Sequence, residues 1–414
     1  MVKPWETTTI GDFLDFKNGL NKEKEFFGYG TPIVNYTDVY KNRGLRKADI
    51  RGKVCLTPDE IHRFDVRKND VFFTRTSETP DEVGMSSVLL EDIENGVFSG
   101  FVLRGRPKND MFVPEYCKYC FSTEAVRNAI ITGCTYTTRA LTNGKQLSAI
   151  ELPIPSKPEQ EAIAEALSDI DTLIVNLEKL IAKKKAIKQG AMQELLTGKR
   201  RLPGFDGEWN TMKVEEIVAR FATGLNPRQN FKLNTGGTNY YVTIKDFRDG
   251  VLYLDDNCDR IDDLALVRIN ERSDLRKGDL LFSSIGRIGD AYLITETPTN
   301  WNINESVFAL RPNIKVIDPL MLYWLLTSEE TKRKLVESTT GSTLKSIKLG
   351  HLKEIECTFP ADIVEQKAIS TILYDMDAEI RELEKKVEKA RLIKQGMMSE
   401  LLTGRIRLID KEDA

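Results

Sequence analysis

Few residues in this chain have the type and spacing to do covalent chemistry. Cys117 and Cys120 stand in C-x-x-C spacing, half of a tetrahedral zinc site, but no second pair follows and the chain has just two histidines, His62 and His351. Two histidines also leave few possible bases for a Ser-His-Asp or Cys-His relay. The sequence holds no G-x(4)-G-K-[ST] phosphate loop, no HExxH and no G-x-S-x-G. "SSIGRIG" at 283–289 has the glycines of a phosphate loop but sits in strand-rich sequence and reads as a turn. "LNPRQ" at 225–229 is not the Asn-Pro-Pro-aromatic motif with which amino-methyltransferases grip a target adenine. Acidic residues are plentiful, yet no repeated Asp/Glu pair suggests a hydrolase. The expectation is no catalytic residue, no metal and no cofactor held by this chain.

Loops rich in cations, amides and hydroxyls offer a different chemistry, the donation of hydrogen bonds to phosphates and base edges. In the first half they are "YKNRGLRK" (Lys41, Arg43, Arg46), Arg75 after an apolar strand, and "TYTTRALTNGK" (Thr137, Arg139, Lys145). In the second half they are "IKDFRDG" (Lys245, Arg248), Arg287 in "SSIGRIG", "NWNIN" (Asn302, Asn304) and "GSTLKSIK" (Ser342, Lys345). For each residue the alternative is an ordinary solvated charge, since Lys and Arg are mostly exposed anyway. With net charge −3 and pI about 5.8 there is no global basic footprint, so any polyanion contact is local.

The elements that must position these loops are announced by a duplication. "IKQGAMQELLTG" at 187–198 returns as "IKQGMMSELLTG" at 393–404. Shifted by 206, residues 159–202 and 365–408 align without a gap and agree at 24 of 44 positions. The apolar spacing in both is 4, 3, 4, 3, a helical heptad seam. It runs through Ile163, Leu167, Ile170, Ile174, Leu177 and Ile181 in the first copy, and through Ile369, Leu373, Met376, Ile380, Leu383 and Val387 in the second. Prolines precede each helix, and Gly198 and Gly404 stop them. About 40 residues at ~1.5 Å each make helices of roughly 60 Å. One such helix leaves its seam wet; two can bury each other.

The segments between the helices match more weakly. Trp5 answers Trp209, "RKNDVFFTR" at 67–75 answers "RKGDLLFSS" at 276–284, "FVLR" at 101–104 answers "FALR" at 308–311, and "IELPIP" at 150–155 answers "IECTFP" at 355–360. Short apolar runs bounded by Gly, Asn, Asp and Pro predict strands. Cys117 and Cys120 align with Leu322 and Leu325, which favours a core role over a metal. All six cysteines are expected to be reduced. The order is then a globule at 1–155, a long helix at 156–200, a globule at 201–360, a long helix at 361–408 and a tail at 409–414. If the helices run antiparallel, the chain is quasi-circular with a pseudo-twofold axis, an α/β (α+β) architecture. Gly190 and Gly396 sit mid-helix, where glycine costs about 1 kcal/mol against alanine; the matched placement suggests close helix approach or a docked partner. Lysines along both helices read either as a solvated coiled-coil face or as spacer-phosphate or partner contacts. No apolar run reaches the ~18–20 residues of a membrane span, and the start lacks the apolar segment of a signal peptide, so a cytoplasmic protein is expected.

Over its full length the chain resembles the specificity (S) subunits of type I restriction–modification systems. The resemblance rests on the twin "IKQGxMxELLTG" helix end following P-x(3,4)-EQ-x-AI, on the "KNDVFF/KGDLLF" strands and on the tryptophan near each unit's start. It implies that each globule is a target recognition domain reading half of a split site in double-stranded DNA. It implies that the paired helices set the half-site separation and dock two methyltransferase (M) subunits, and that a restriction (R) subunit can join. S-adenosylmethionine would then belong to the partner. Two divergent readers predict an asymmetric bipartite target, with half-sites about one 34–36 Å turn of B-DNA apart. The competing readings are an enzyme with a site built by both globules and a coiled-coil adaptor that binds only protein.

Overall fold

The seam spacing and the flanking Pro and Gly residues produce two helices of 39 residues each, Lys157–Leu195 and Ile363–Leu401. The computed structural model describes residues 5–337 and 346–409. These form two units whose boundaries fall inside both long helices: 5–178 with 385–409, and 179–337 with 346–384.

In the first unit a five-stranded sheet runs in the order Leu14–Asn18, Val102–Pro107, Val71–Thr74, Ser86–Leu89, Gly44–Leu45. A three-stranded sheet of Lys53–Val54, Phe27–Val34 and Val97–Phe98 lies beside it in sequence order, and a third of Thr135–Tyr136, Ala140–Leu141 and Thr76–Ser77 extends from the central strand. In the second unit Val218–Thr223, Val307–Pro312, Leu280–Ser283 and Ala291–Leu293 form the main sheet, with Asp259–Ile261, Asn239–Val242 and Trp301–Ile303 forming another. Both units close with an antiparallel pair next to the long helix, Glu6–Thr9 with Glu151–Ile154 and Trp209–Lys213 with Glu356–Pro360.

Strand register corrects one alignment drawn from sequence. Phe73 pairs Leu103, and Phe282 pairs Phe308, so Val102–Arg106 answers Val307–Arg311. Arg106, not Arg104, is therefore the counterpart of Arg311. Side chains agree: the Arg106 fork donates to both Asp70 oxygens at 2.8 Å, and the Arg311 fork donates to both Asp279 oxygens at 2.9 Å. A second aspartate, Asp65 or Asp274, closes each cluster. The fork–fork geometry pins the central strands in both units.

The repeated helix phrases serve the globules as much as the helix pair. Glu159-Gln160 and Glu365-Gln366 are almost wholly buried. Gln160 accepts from the Val113 amide at 2.7 Å and donates to the Met111 and Pro155 carbonyls; Gln366 accepts from Asp318 at 2.8 Å and donates to Val316 and Pro360. In the first unit Glu159 takes the guanidinium of Arg407 and the Trp5 indole N–H. In the second, Arg201 donates to both Glu365 oxygens at 2.8 Å. Leu401 and Leu402 enter the first core beside Ile163 and Leu167, and Leu195 and Leu196 enter the second beside Ile369 and Leu373. Gly404 and Gly198 turn the chain at φ +70°, each against a tryptophan ring. Each unit thus has its own core, completed by the end of the helix that begins in the other half of the sequence.

Candidate nucleic-acid interface

The loops singled out in the first half hang from one seat. Central strand Val71–Thr74 ends at Arg75, whose amide donates to the Phe101 carbonyl at 2.9 Å and whose carbonyl accepts from the Thr142 amide at 3.0 Å. Thr76–Ser77 then pairs with Ala140–Leu141, which folds back on Thr135–Tyr136 as a hairpin. The second unit repeats the backbone with another side chain. Ser284 follows strand Leu280–Ser283, donates to Ser306 at 3.2 Å and accepts from Ile347 at 2.8 Å. Ser284 Oγ donates to the Ser306 carbonyl, where Arg75 Nη1 reaches the Gly100 carbonyl.

Of the first unit's candidates, Lys41, Arg46, Thr137, Arg139 and Lys145 are exposed and Arg75 is half-buried. Lys145 rides the short helix Gly144–Ser148, capped by Asn143, which accepts from Gln146. Arg43 is turned inward. It donates to Ser122 Oγ at 2.8 Å and to the Lys118 carbonyl, and lies over the Tyr119 ring. Burial lowers its pKa. Its role is to anchor a helix, which corrects its placement among DNA contacts. Two exposed aromatics beside the seat escaped the sequence reading, Phe101 (58% exposed) and Tyr136 (57%). Nothing in a lone aromatic between strand signals marks it as outward-facing.

In the second unit three of the candidates converge. Arg287 donates to the carbonyls of Ile244 and Phe247 and pairs with Asp290 at 2.9 Å, so its loop is tied to the one carrying Lys245 and Arg248. Phe247–Arg248 turns into Val251–Leu252 through Asp249 and Gly250, both at positive φ, the geometry of a type I′ hairpin. Arg248 is exposed over the Tyr253 ring, and Lys245 pairs with Asp259 at 3.5 Å. Asn302 is wholly buried: its carbonyl accepts from Ser273 Oγ and from the Ile303 amide, and its amide donates to Asn270. It cannot meet a base, and is corrected to a core hydrogen-bonding residue. Asn304 accepts from Ser306 within its own turn. Ser342 and Lys345 lie outside the described residues.

Along the helices, Ile163, Leu167, Ile174 and Val387 are buried in the first unit, with Ile170 and Leu177 half-buried. Ile369, Leu373, Ile380 and Leu383 are buried in the second, with Met376 and Ile181 half-buried. Ion pairs set the antiparallel sense. Lys394 meets Asp171 and Arg391 meets Glu178 in the first unit. Lys188 meets Asp377, Lys184 meets Glu379 and Lys185 meets Glu384 in the second. Those lysines thus have acidic partners within the helix pair. A Cβ built on Gly190 or Gly396 touches nothing within 4 Å, so close helix approach is not the reason for either glycine. Leu173, Val175, Leu392 and Ile393 in the first unit, and Leu180, Ile187 and Tyr374 in the second, are exposed apolar residues on the same helices.

Cys117 and Cys120 lie in the first core, and burial pushes the Cys120 thiol well above its ordinary value, against the thiolate a metal would need. The candidate surface therefore presents donors, cations and aromatic faces. Among the described residues no helix is long and apolar enough to cross a membrane.

A family model for the type I restriction modification DNA specificity domain matches the chain twice, at residues 2–189 and 206–392. The type I restriction enzyme MjaVIII specificity subunit of Methanocaldococcus jannaschii is 24% identical over 424 residues, covering 98% of this chain and 93% of that protein. The EcoBI specificity subunit of Escherichia coli is 28% identical over 259 residues, covering 58% of this chain and 54% of that one. The fold is that of the type I restriction–modification S subunit from M. genitalium, with TM-score 0.59, 16% identity and 96% of each chain covered.

Proposed function

Because the chain belongs to the family of type I restriction–modification DNA specificity domains, we propose that it is the subunit that selects the DNA site for such a complex, each unit reading one half of a bipartite target. One observation carries the reading. The two units hold the same backbone seat with the same two hydrogen bonds, yet the exposed donors carried around it differ, Thr137 and Arg139 in the first and Arg248 and Arg287 in the second. A common scaffold with unlike donors is what two unlike half-sites require.

On this reading methyl transfer and S-adenosylmethionine belong to methyltransferase partners. The exposed apolar residues of the long helices, together with the open surface at Gly190 and Gly396, are the docking faces for two such subunits, to which a restriction subunit adds. A cytoplasmic setting follows from the substrate.

The test is selection of duplexes from a random pool by the chain purified with its methyltransferase subunit. Two unlike short motifs at one fixed spacing support the proposal. A palindromic or contiguous motif overturns it. A complex that enriches no motif leaves the reading as a protein adaptor, whose binding would be insensitive to salt where phosphate binding falls steeply.

A further inference from the structure

The first unit's hairpin lies in one of two long acid-free runs of the chain, the other being residues 217–245 in the second unit. Residues 125–150 contain no Asp or Glu, in a protein with 63 of them, and include Arg127, Arg139 and Lys145. Residues 135–139 are all exposed, Tyr136 and Phe101 present more than half of their surface, and the strand Thr135–Tyr136 is an edge. A two-stranded ribbon fits the major groove of B-DNA. Carboxylates on such a ribbon would be repelled by the phosphates flanking the groove, so their absence matches that use.

The cations at the two ends of the ribbon are held differently. Arg139 is at its tip, exposed, and forms no ion pair among the described residues. Arg75 is at its root, half-buried, its Nη1 fixed by the Gly100 carbonyl and its Nε sealed from solvent without a partner. A guanidinium so placed, with no carboxylate paired to it among the described residues, is short of acceptors. Phosphates stand out from the duplex and base edges lie at the groove floor. A recessed cation therefore meets a phosphate, and the protruding tip meets bases.

We propose that the Thr135–Leu141 hairpin is the groove-entering element of the first unit, that Arg139 reads a guanine edge, and that Arg75 clamps a backbone phosphate beside it. The proposal rests on the DNA-reading function above and adds the element, the residues and their division of labour.

The experiment repeats the duplex selection with the intact complex carrying Arg139→Ala, Arg139→Lys or Arg75→Ala. For Arg139→Ala we expect one guanine position in one half-site to lose its preference, by roughly ten- to a hundredfold, with the other half-site unchanged and partial recovery in Arg139→Lys. For Arg75→Ala we expect an unchanged motif, uniformly weaker binding, and a salt dependence of log K shallower by about 0.9. Uniform weakening by Arg139→Ala, or no effect, overturns the base-reading role. Lost base preference in Arg75→Ala reverses the two assignments and also overturns the proposal. The wild-type motif separates the levels: a bipartite motif insensitive to both substitutions sinks this inference alone, whereas no motif sinks the DNA-reading function with it.

Discussion

Asp70 and Asp279 are buried carboxylates, each facing a two-pronged arginine on a central strand. Truncating one leaves a guanidinium in a poorly solvated place with half its acceptors gone, which costs more than the pair's net contribution. Asp70→Ala should destabilise the first unit by about 3 kcal/mol, read as a lower urea midpoint. The outer aspartate of the second cluster gives a pH signature. The Arg276 hydrogen bond, with help from Arg311, holds Asp274 below the ordinary carboxylate range against the opposing effect of burial. A depressed folded-state pKa stabilises fully above the unfolded value and is lost as pH falls through the folded one. Stability should thus drop below about pH 4, and Asp274→Asn should flatten that acid limb; an unchanged limb would place the effect elsewhere. These clusters were half legible in the sequence. "RKNDVFF" and "RKGDLLF" showed the aspartates, but "FVLR" and "FALR" matched the wrong arginines, because an identical end residue outweighs register when letters are all one has. Asn302 was misplaced for a related reason: an amide in a short strand looks the same whether its face is wet or covered.

The long helices are where sequence speaks most clearly, since a 3.5-residue period kept over several heptads has few other meanings. The period did not show that the outer turns of each seam pack into a globule, as Ile163 and Leu167 do with Leu401 and Leu402. Nor did it explain the mid-helix glycines. A Cβ at Gly190 meets no atom of the chain, and a leucine there would gain the helix propensity that glycine lacks, so Gly190→Leu should leave the chain as stable or raise stability by about 1 kcal/mol. Its expected cost is outside the chain. If Gly190 lies under a docked methyltransferase subunit, the substitution weakens co-purification while the melting midpoint of the chain alone holds or rises. Full assembly with Gly190→Leu would free that face from any partner.

At the scale of the molecule, the notable fact is that the first unit is made from both ends of the sequence. Residues 5–178 supply the sheets, and 385–409 supply Leu401, Leu402 and Arg407. The second unit needs no chain end, because the linker from Gly198 to Trp209 is continuous and brings Arg201 to Glu365 directly. The duplication hinted at this, since "TGRIRL" after the second helix repeats the "TGKRRL" that opens the linker. The consequence is lopsided. Removing everything after Gly396 deletes no residue of the first globule's sheets, yet it strips two buried leucines from its core, each contributing about 1.5–3 kcal/mol. It also leaves Glu159, wholly buried, without its arginine, a loss of the kind that costs several kcal/mol. Hydrogen exchange on the truncated chain should therefore show lost protection at the amino-terminal unit, at Val113 and along 159–167, while 210–330 keep theirs. Because the cut also removes the far end of the second helix, Arg407→Ala isolates the electrostatic part. It should loosen the same amides by a smaller amount and leave the amides around Glu365 untouched. Protection lost first in the second unit would mean that the two units are not stabilised separately, and that the clip at Glu159 is incidental to the fold it sits in.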